Sequence, residues 1–529
     1  MSKQLKFSKD ARYEMAKGIE CLYNATRITL GPKGRNVIIE QEFGSPQIVN
    51  DGVTIAKAVK LPDRFMNMGS SVVIEAASKT NDVVGDGTTT AILLASNLIL
   101  EGLKYIDKGI NPVMLQKGLQ HLLPKIIEEI DKVSTPIESF DDLANIAAIS
   151  SGSTEIGNLI KEAYQEVGTD GVITVEESQG INTYLDVVKG YAYDRGYLSP
   201  YMANQAEKQI AILEKPMILI IDKKINTMNE ILPVLEETVK SARPLLIICD
   251  DMEQEVLGAL IVNKLRGVFQ VVVTKAPGFG DKKTQLLTDL AVVTGATYLD
   301  SNLISTEPIS TKVLGSASKV IVTKDQTTIV DGSGDNDKII KHTEKLKVEL
   351  AETKSEYEKE KLSERIAKIL SGIAVIKVGA PTETELKDKK LRLEDALNST
   401  KAASSSGIIE GGGKVLYQIS KKLSGFVANN EYKPAADILR VALQAPFKQI
   451  VENAGGNFEE VLQKVNDKVW FDASTGNFVS LIEKGIIDPT SVAKSALINA
   501  VSVASTFLTT ECAIVNMDTK RKDIEDPLS

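Results

Sequence analysis

Apolar residues recur every three or four positions over long stretches at both ends of the chain, a spacing that predicts amphipathic helices. The longest predicted helices cover residues 8–30, 64–82, 86–103, 112–132 and 383–403. Gly31-Pro32 ends the first of them, because proline cannot continue a helix. Hairpin-like elements are expected around residues 469–478 and 485–490. Both ends of the chain are therefore predicted to be mostly helical.

The middle of the chain alternates short apolar runs with helical patterns. The runs cover residues 217–221, 245–249 and 271–273, about 25 to 28 residues apart, which is the rhythm of β-α-β units. Such strands form a parallel sheet that helices cover on both faces. The predicted fold class is thus multidomain, with helical ends around an α/β middle.

One helix of this middle region is more apolar than a position on a sheet requires. Its apolar residues are Val256, Leu257, Ala259, Leu260, Ile261, Val262 and Leu265, which cover more than half of its circumference. A helix that lies on a sheet needs one apolar stripe, so the surplus must meet something else. A second internal contact, a subunit interface or an exposed patch that binds partners would each account for it.

Two further segments of the middle region have plain structural interpretations. Residues 335–371 are rich in lysine and glutamate with apolar residues at helical spacing, which predicts two antiparallel helices with solvated charged faces. His342 in this segment is expected to be solvated. Residues 276–281 contain the glycines of a phosphate loop, but Pro277 and the expected absence of an immediate helix favour a structural turn.

Composition limits the class of protein. A chain of 529 residues with 43% hydrophobic residues should form about three globular domains. The net charge of −9, without a clustered basic surface, argues against nucleic acid as a partner. No apolar run reaches the ~18 residues that span a bilayer, and no signal or transit peptide is recognised. The three cysteines show no metal or redox spacing.

Residues 84–90 carry the clearest chemical signal. Asp86 lies between Gly85 and Gly87 and is followed by three threonines that open a predicted helix of about five turns. A helix N-terminus binds phosphate, and glycine allows a close approach. Asp86 would repel a phosphate, so a bridging Mg²⁺ is implied. The alternative, an ordinary helix cap after a glycine turn, stays open on this evidence.

Three other segments carry weaker signals. Residues 30–36 form a glycine-rich turn with two cations that could cradle a phosphate or be a plain loop. Residues 47–55 favour a hairpin whose Asp51 is a turn former rather than a functional carboxylate. The triple glycine at 411–413 is typical of a place where something approaches the backbone closely.

Taken together, these segments resemble the group I chaperonins, the GroEL family, of bacterial or plastid type. The resemblance covers nearly the whole chain and is carried by residues 29–36, 85–90, 194–201, 275–281 and 411–413. It implies a mostly helical equatorial domain (1–132 and 408–529), a small intermediate domain (133–189 and 373–407) and an apical α/β domain (190–372), inserted successively in one another. The hinges would lie near Thr135, Gly190, Gly372 and Gly407.

The resemblance also implies roles for individual residues. The phosphates would be held by Thr29, Leu30, Gly31, Pro32, Asp86, Gly87, Thr88, Thr89 and Thr90, with Asp86 on Mg²⁺. Asp488 would hold the ribose, Gly412 would pack against the nucleotide, and Asp472, Ala473 and Ser474 would lie near the base. Asp395 would orient the attacking water, assisted by Asp51, as phosphoryl transfer requires. Unfolded chains would bind at Tyr197, Tyr201, Met202, Leu232, Leu235, Leu257, Ile261 and Val262.

The function implied is that of an ATP-hydrolysing folding chaperone, with ATP, Mg²⁺ and K⁺ as cofactors. Its partners would be non-native proteins and a GroES-type co-chaperonin, and it would form two stacked seven-membered rings in a bacterial cytoplasm or a plastid stroma. There are two alternatives: a metabolic ATP-dependent ligase or kinase, for which no acid or base cluster is seen, and a ring-forming scaffold with little ATPase activity. The three carboxylates Asp51, Asp86 and Asp395 argue against the scaffold.

Several positions depart from the family pattern. Asn50 replaces a frequent lysine, residues 404–406 are serines where acidic residues are common, and the tail 520–529 lacks Gly-Gly-Met repeats. A salt bridge of Lys494 across the ring interface would then be missing. Arg195 and Glu383 are similar to a family ion pair that switches between ring states.

Overall fold

A computed structural model describes residues 2–41, 46–169, 171–205, 209–300, 309–353, 355–370, 372–427 and 429–516. The C-terminal tail, for which the sequence predicted a departure from the family, lies outside these ranges. The helices are α1 Ser8–Thr26, α2 Gly52–Ala58, α3 Arg64–Val84, α4 Thr88–Asp107, α5 Pro112–Lys132, α6 Phe140–Ser151, α7 Thr154–Val167, α8 Leu232–Ser241, α9 Gln254–Leu265, α10 Asp281–Thr294, α11 Asn336–Glu352, α12 Glu356–Leu370, α13 Glu383–Ser406, α14 Lys414–Phe426, α15 Lys433–Asn453, α16 Phe458–Leu462 and α17 Thr490–Leu508. The strands are β1 Lys3–Phe7, β2 Val37–Ile39, β3 Gln47–Val49, β4 Ile173–Glu177, β5 Tyr184–Tyr193, β6 Ala211–Glu214, β7 Met217–Ile225, β8 Leu245–Met252, β9 Val271–Lys275, β10 Leu299–Asp300, β11 Gly315–Val322, β12 Thr327–Gly332, β13 Gly372–Val378, β14 Ile408–Glu410, β15 Trp470–Phe471, β16 Phe478–Val479, β17 Ile487–Pro489 and β18 Cys512–Asn516.

The chain forms two compact units. The first contains residues 1–162, 175–184 and 378–529, and the second contains residues 163–174 and 185–377. The chain thus leaves the first unit and later returns to it, in agreement with the predicted multidomain class. The finer division into three domains at the boundaries given above stays a prediction.

The first unit is a helical bundle around α4. Helices α1, α3, α15 and α17 contact α4, whose residues from Ala91 to Ala95 are fully buried. One helix among the described residues, α17, is long and apolar enough to cross a membrane by length and composition. Its Ala496, Leu497 and Ala500 are fully buried in this bundle, so packing in a protein core accounts for its apolar character.

The second unit is built on a mixed sheet. Strand order is β4-β13-β5-β12-β11-β7-β8-β9, with β10 beside β7 and β6 beside β11. Strands β7, β8 and β9 are parallel in register, Met217 to Leu245 and Leu245 to Val271, as their spacing predicted. The charged segment forms the two helices α11 and α12, which pack against each other as predicted.

Several predictions of secondary structure were wrong, because the segments pair with other parts of the chain. Residues 47–55 are not a hairpin: β3 pairs with β2, and Asp51 instead caps α2. Residues 485–490 are not a hairpin either, because β17 pairs with the distant β14. The loop 276–281 does lead directly into a helix, α10. The first helix ends at Thr26, and a short 3₁₀ helix covers Arg27–Thr29.

The prediction that His342 is solvated was wrong. Its Nε2 lies 2.7 Å from Oδ1 of Asp289, a fully buried carboxylate on α10. Arg365 on α12 completes the cluster with two parallel bonds, Nε to Oδ2 and Nη2 to Oδ1, both at 2.8 Å. A buried carboxylate requires such partners, and the helical period by itself does not reveal them.

Candidate functional site

The turn between α3 and α4 has the conformation that its two glycines allow. Gly85 (φ 68°) ends α3 and Gly87 (φ 79°) precedes α4, both in the left-handed region. A β-carbon at Gly85 would lie 2.5 Å from the Asn398 side chain, and one at Gly87 would lie 2.5 Å from Cγ1 of Val492. Backbone conformation and close approach therefore both require glycine here.

The first turn of α4 is not capped by a side chain. Among the described residues no acceptor is found for the N–H groups of residues 88–90, which are those that a helix leaves unpaired at its start. Thr88 is buried, while Thr89 and Thr90 keep partial exposure. A helix of 20 residues presents the positive end of its dipole at this turn, so an anion would be stabilised there.

Asp86 is held by hydroxyl groups from two other helices. Its Oδ1 accepts from the Gly87 N–H, and its Oδ2 accepts from the Ser150 hydroxyl at 2.9 Å and from the Ser399 hydroxyl. Sequence reasoning missed both serines. Ser399 could have been found from its position one turn after Asp395 on the same helix, which places both on one face.

Asp395 enters the site on α13. This helix contacts α6, α17 and β3, the strand that leads into Asp51. The Ser399 contact with Asp86 brings the face that carries Asp395 to the α3–α4 turn. The structure therefore places Asp51 and Asp86 in one region of the first unit, and Asp395 lies one turn before Ser399 on the helix that contacts Asp86.

Asp51 is the N-cap residue of α2 in this conformation. Its carboxylate accepts from the N–H groups of Val53 and Thr54 and from the Thr54 hydroxyl, and so caps α2. The Thr88 hydroxyl lies 3.5 Å from Oδ1 of Asp51. A β-carbon on Gly52 would lie 2.3 Å from the Thr89 hydroxyl, so the starts of α2 and α4 lie side by side.

The loop with the predicted phosphate residues Thr29, Leu30, Gly31 and Pro32 is fixed from one side. The Asn453 side chain donates to the Leu30 carbonyl at 2.8 Å, and the Thr29 hydroxyl donates to the carbonyl of Thr26, the last residue of α1, at 2.9 Å. Gly31 has φ 85° and is exposed, and that 3₁₀ helix packs against α4. Asn50 donates to the Arg35 carbonyl at 3.2 Å, which ties β3 to the end of this loop.

The triple glycine brings β14, α14 and Asp488 together. Strand β14 pairs Ile409 with Asp488 of β17, and a β-carbon on Gly411 would lie 3.0 Å from Oδ1 of Asp488. Gly412 has φ 62° and a single neighbour, Cδ1 of Trp470, that its β-carbon would reach, at 4.0 Å. Burial, with the negative charge of Asp86, raises the pKa of Asp488 to about 7.

The predicted base region, Asp472, Ala473 and Ser474, forms a tight turn between β15 and β16. Asp472 accepts from the Ser474 hydroxyl at 2.6 Å, the Ser474 N–H at 2.9 Å and the Thr475 hydroxyl at 2.7 Å. Burial opposes ionisation, but these hydrogen bonds hold the pKa of Asp472 below its ordinary value. Its carboxylate therefore shapes the turn in this conformation.

The donor set fits Mg²⁺ held together with phosphate rather than by protein alone. Among the described residues no group of three or more His, Cys, Asp or Glu side chains could hold a metal ion. Mg²⁺ commonly takes one or two carboxylates and completes its shell with phosphate oxygens and water. Asp86, beside a free helix N-terminus, meets that requirement.

The residues predicted to bind unfolded chains lie in the second unit and differ in exposure. Tyr201 is 68% exposed, Val262 46% and Leu232 42%, and Ile261 is partly exposed. Buried members are Tyr197, Met202, Leu235 and Leu257. In this conformation the exposed residues present apolar surface and the buried ones support it.

The predicted switching pair and Lys494 have other partners. Glu383 pairs with Lys387 on its own helix at 2.7 Å, and the Arg195 guanidinium lies over the exposed Phe279 ring. Lys494 pairs with Asp131 at 2.7 Å. Whether Arg195 and Glu383 pair in another state stays a prediction.

The chain matches a known protein family over almost its whole length. A model of the TCP-1/cpn60 chaperonin family matches residues 22–518. The chain belongs to this family. The chaperonin inferred from the sequence is thereby confirmed, together with the multidomain α+β and α/β fold class.

Solved structures show the same fold. The chaperonin is similar to gp146, the chaperonin of bacteriophage EL 2 (Pseudomonas aeruginosa), solved in the presence of ATP-BeFx. Crystal form II is 22% identical, with 97% of this chain and 99% of that chain covered and a TM-score of 0.68. Crystal form I is 21% identical at the same coverage, with a TM-score of 0.61. At these identities the likeness shows the fold alone.

Proposed function

We propose that this chaperonin hydrolyses ATP and couples the cycle to the binding and release of non-native proteins. The observation that supports the ATPase most directly is the uncapped start of α4 beside the carboxylates of Asp86 and Asp51. A partly buried, positively polarised helix end that lacks a side-chain acceptor is suited to an anionic ligand. The phage chaperonin was crystallised in the presence of ATP-BeFx, which agrees with a nucleotide as that ligand.

Different residues around α4 would contact the phosphates, the ribose and the base of the nucleotide. The loop 29–32 and residues 87–90 would bind the phosphates, and Gly412 and the turn 472–474 would face the ribose and base with Asp488. Asp86 would hold Mg²⁺, and K⁺ is the second expected cation. When bound, Mg²⁺ neutralises charge that develops on the phosphoryl oxygens.

Asp395 is the residue we assign to the attacking water. Asp51 is already engaged in capping α2, so its oxygens are less available as proton acceptors. Asp395 lies on the helix that Ser399 attaches to Asp86, which would place a carboxylate near the phosphate site. Phosphoryl transfer needs positioning and charge stabilisation rather than a covalent group, and these residues supply both.

Exposed apolar residues of the second unit would bind the client protein. Tyr201, Leu232 and Val262 present large apolar groups to water, and non-native chains expose apolar groups of their own. Such contacts need no sequence specificity. The same surface would receive a GroES-type co-chaperonin, and two stacked seven-membered rings would enclose the client in the cytoplasm of a bacterium or in a plastid.

The ATPase assignment is tested by Asp395→Ala in the full-length protein. We expect nucleotide binding to persist and hydrolysis to fall by about a hundredfold or more, the usual effect of losing a positioned base. Asp388→Ala is a matched control, because Asp388 lies on the same helix but pairs with Arg392 at 2.9 Å. Equal turnover in both variants would refute the role of Asp395, and an inactive wild type would favour the scaffold alternative.

The assembly is tested separately by the mass of the native particle. Analytical ultracentrifugation and negative-stain microscopy should show fourteen chains in two stacked rings. A particle of one ring, or a ring of another size, would refute this part of the proposal while leaving the ATPase assignment intact.

A further inference from the structure

A buried lysine lies beneath the exposed apolar surface of the second unit. Lys264 occupies the last turn of α9 and is only 8% exposed. Its Nζ donates to three consecutive backbone carbonyls, at 3.2 Å to Tyr201, 2.5 Å to Met202 and 3.1 Å to Ala203. These three bonds use all the donors that an ammonium group has.

This arrangement is unusual because the ammonium is buried without a carboxylate. Among the described residues the Lys264 ammonium contacts these backbone carbonyls and no carboxylate. Burial lowers the pKa of Lys264, and a buried charge normally requires an ionic partner. The carbonyls of one short turn take that place, so the lysine and the turn depend on each other.

The turn and the helix that Lys264 joins each carry part of the exposed surface. The short 3₁₀ helix Pro200–Met202 carries Tyr201, and α9 carries Ile261 and Val262. Inside the turn, the Ser199 hydroxyl accepts from the Tyr201 N–H at 3.4 Å, which is a weak cap. Met202 is fully buried and its Sδ accepts from the Val273 N–H. Among the described residues, Lys264 is the charged side chain that donates a hydrogen bond to the Tyr201 backbone.

We propose that Lys264 is a positioning residue that clamps the Tyr201 turn to α9, so that Tyr201 and Val262 form one preorganised surface for apolar segments of non-native proteins. The inference rests on the proposed binding of such proteins at this surface. Preorganisation matters because a loose turn would have to be ordered when a client binds, which weakens affinity without removing a contact.

The clamp is tested first on the turn itself. Lys264→Met keeps the length and apolar stem of the side chain but removes its donors, and Lys338→Met changes an exposed lysine on α11 as the control. We expect the amide hydrogens of Met202 and Ala203 to exchange about tenfold faster in Lys264→Met, and chymotrypsin to cleave after Tyr201 more readily. Lys264→Arg should restore part of the protection. Unchanged exchange in Lys264→Met would overturn the clamp.

The effect on binding is tested next, by capture of a chemically denatured protein. We expect Lys264→Met to capture about tenfold less tightly than wild type, with ring assembly and ATP turnover unchanged. Tyr201→Glu distinguishes a failure of the Lys264 clamp from a failure of the proposed client-binding surface. If Tyr201→Glu abolishes capture and Lys264→Met does not weaken it, the clamp has no binding role. If Tyr201→Glu also captures normally, the proposed client surface itself is wrong.

A measurement on the unaltered protein covers the case in which Lys264→Met does not fold. Competitive labelling of amines, followed by mass spectrometry, should find Lys264 among the least reactive lysines and Lys338 among the most reactive, because a buried amine that is held by three carbonyls cannot reach the reagent. Equal reactivity of the two would show that the Lys264 ammonium is not held by the turn and would overturn the proposal.

Discussion

Asp86 shows how much a single side chain depends on its neighbours. Gly85 and Gly87 allow the positive φ angles of the turn. The Asp86 carboxylate, however, is oriented by Ser150 and Ser399, which lie 64 and 313 residues away in the chain. The sequence indicated a metal-binding carboxylate because an acid beside a phosphate site needs a cation. The sequence did not indicate which groups donate hydrogen bonds to the Asp86 carboxylate when no cation is bound.

Asp488 leads to a prediction at the same scale. Its pKa is raised to about 7 by burial and by Asp86, so in the nucleotide-free protein it is protonated when folded and ionised when unfolded between about pH 4 and 7. A raised carboxyl pKa contributes stability that is present at low pH and is lost as pH rises through the folded value. We expect a loss of about 1 kcal/mol per pH unit, since the side chain keeps some contact with water.

The measurement is thermal unfolding without nucleotide or magnesium at pH 5 and pH 7.5. The decrease in melting temperature between the two should be smaller in Asp488→Asn than in wild type. Asp131→Asn is the control, because Asp131 is a half-exposed carboxylate that already pairs with Lys494. The same pH dependence in wild type and Asp488→Asn would contradict the assignment.

At the scale of elements, the α3–α4 turn determines whether the phosphate site forms. Helices α3 and α4 were predicted from periodicity, and their junction from the glycines. The tight contacts of that junction, with Asn398 of α13 and Val492 of α17, follow only from packing. Each contact is local in space but distant in sequence.

The turn supports a prediction with a matched control. Gly85→Ala places a β-carbon 2.5 Å from the Asn398 side chain, whereas Gly109→Ala, also at positive φ, meets nothing within 4 Å. Both variants bear the backbone strain of about 1 kcal/mol, but only Gly85→Ala adds steric overlap of about 1–3 kcal/mol. Thermal melts and titration with ADP should show a larger loss of stability and affinity for Gly85→Ala; equal losses would mean that contact with α13 is unimportant.

At the scale of the molecule, the two proposed activities lie in different compact units. The nucleotide residues belong to the first unit, and the exposed apolar residues belong to the second. The chain changes unit four times, after residues 162, 174, 184 and 377, so covalent connections join the two units. Binding and hydrolysis should therefore be separable by substitution.

We expect Tyr201→Glu to hydrolyse ATP at the wild-type rate without capturing a denatured protein. Asp395→Ala should capture that protein but fail to release it on addition of ATP, because hydrolysis is slow. The two variants are compared by ATP turnover and by co-sedimentation of a labelled client in one series. Loss of both activities in either variant would contradict this division of labour.

The helices at both ends, the parallel strands β7, β8 and β9, and the glycine turn with Asp86 could be predicted from the order of residues alone. Each depends on the periodicity of apolar residues or on the conformational preferences of residues that are adjacent in the chain. The sequence also indicated the family, through motifs in order along the chain. Other features became visible only in the folded chain: Asp51 caps a helix, β17 pairs with β14, His342 binds a buried carboxylate, and Ser399 and Lys264 bind residues that are distant in the chain. These contacts join residues that only folding brings together, and a single sequence has no local signal for them.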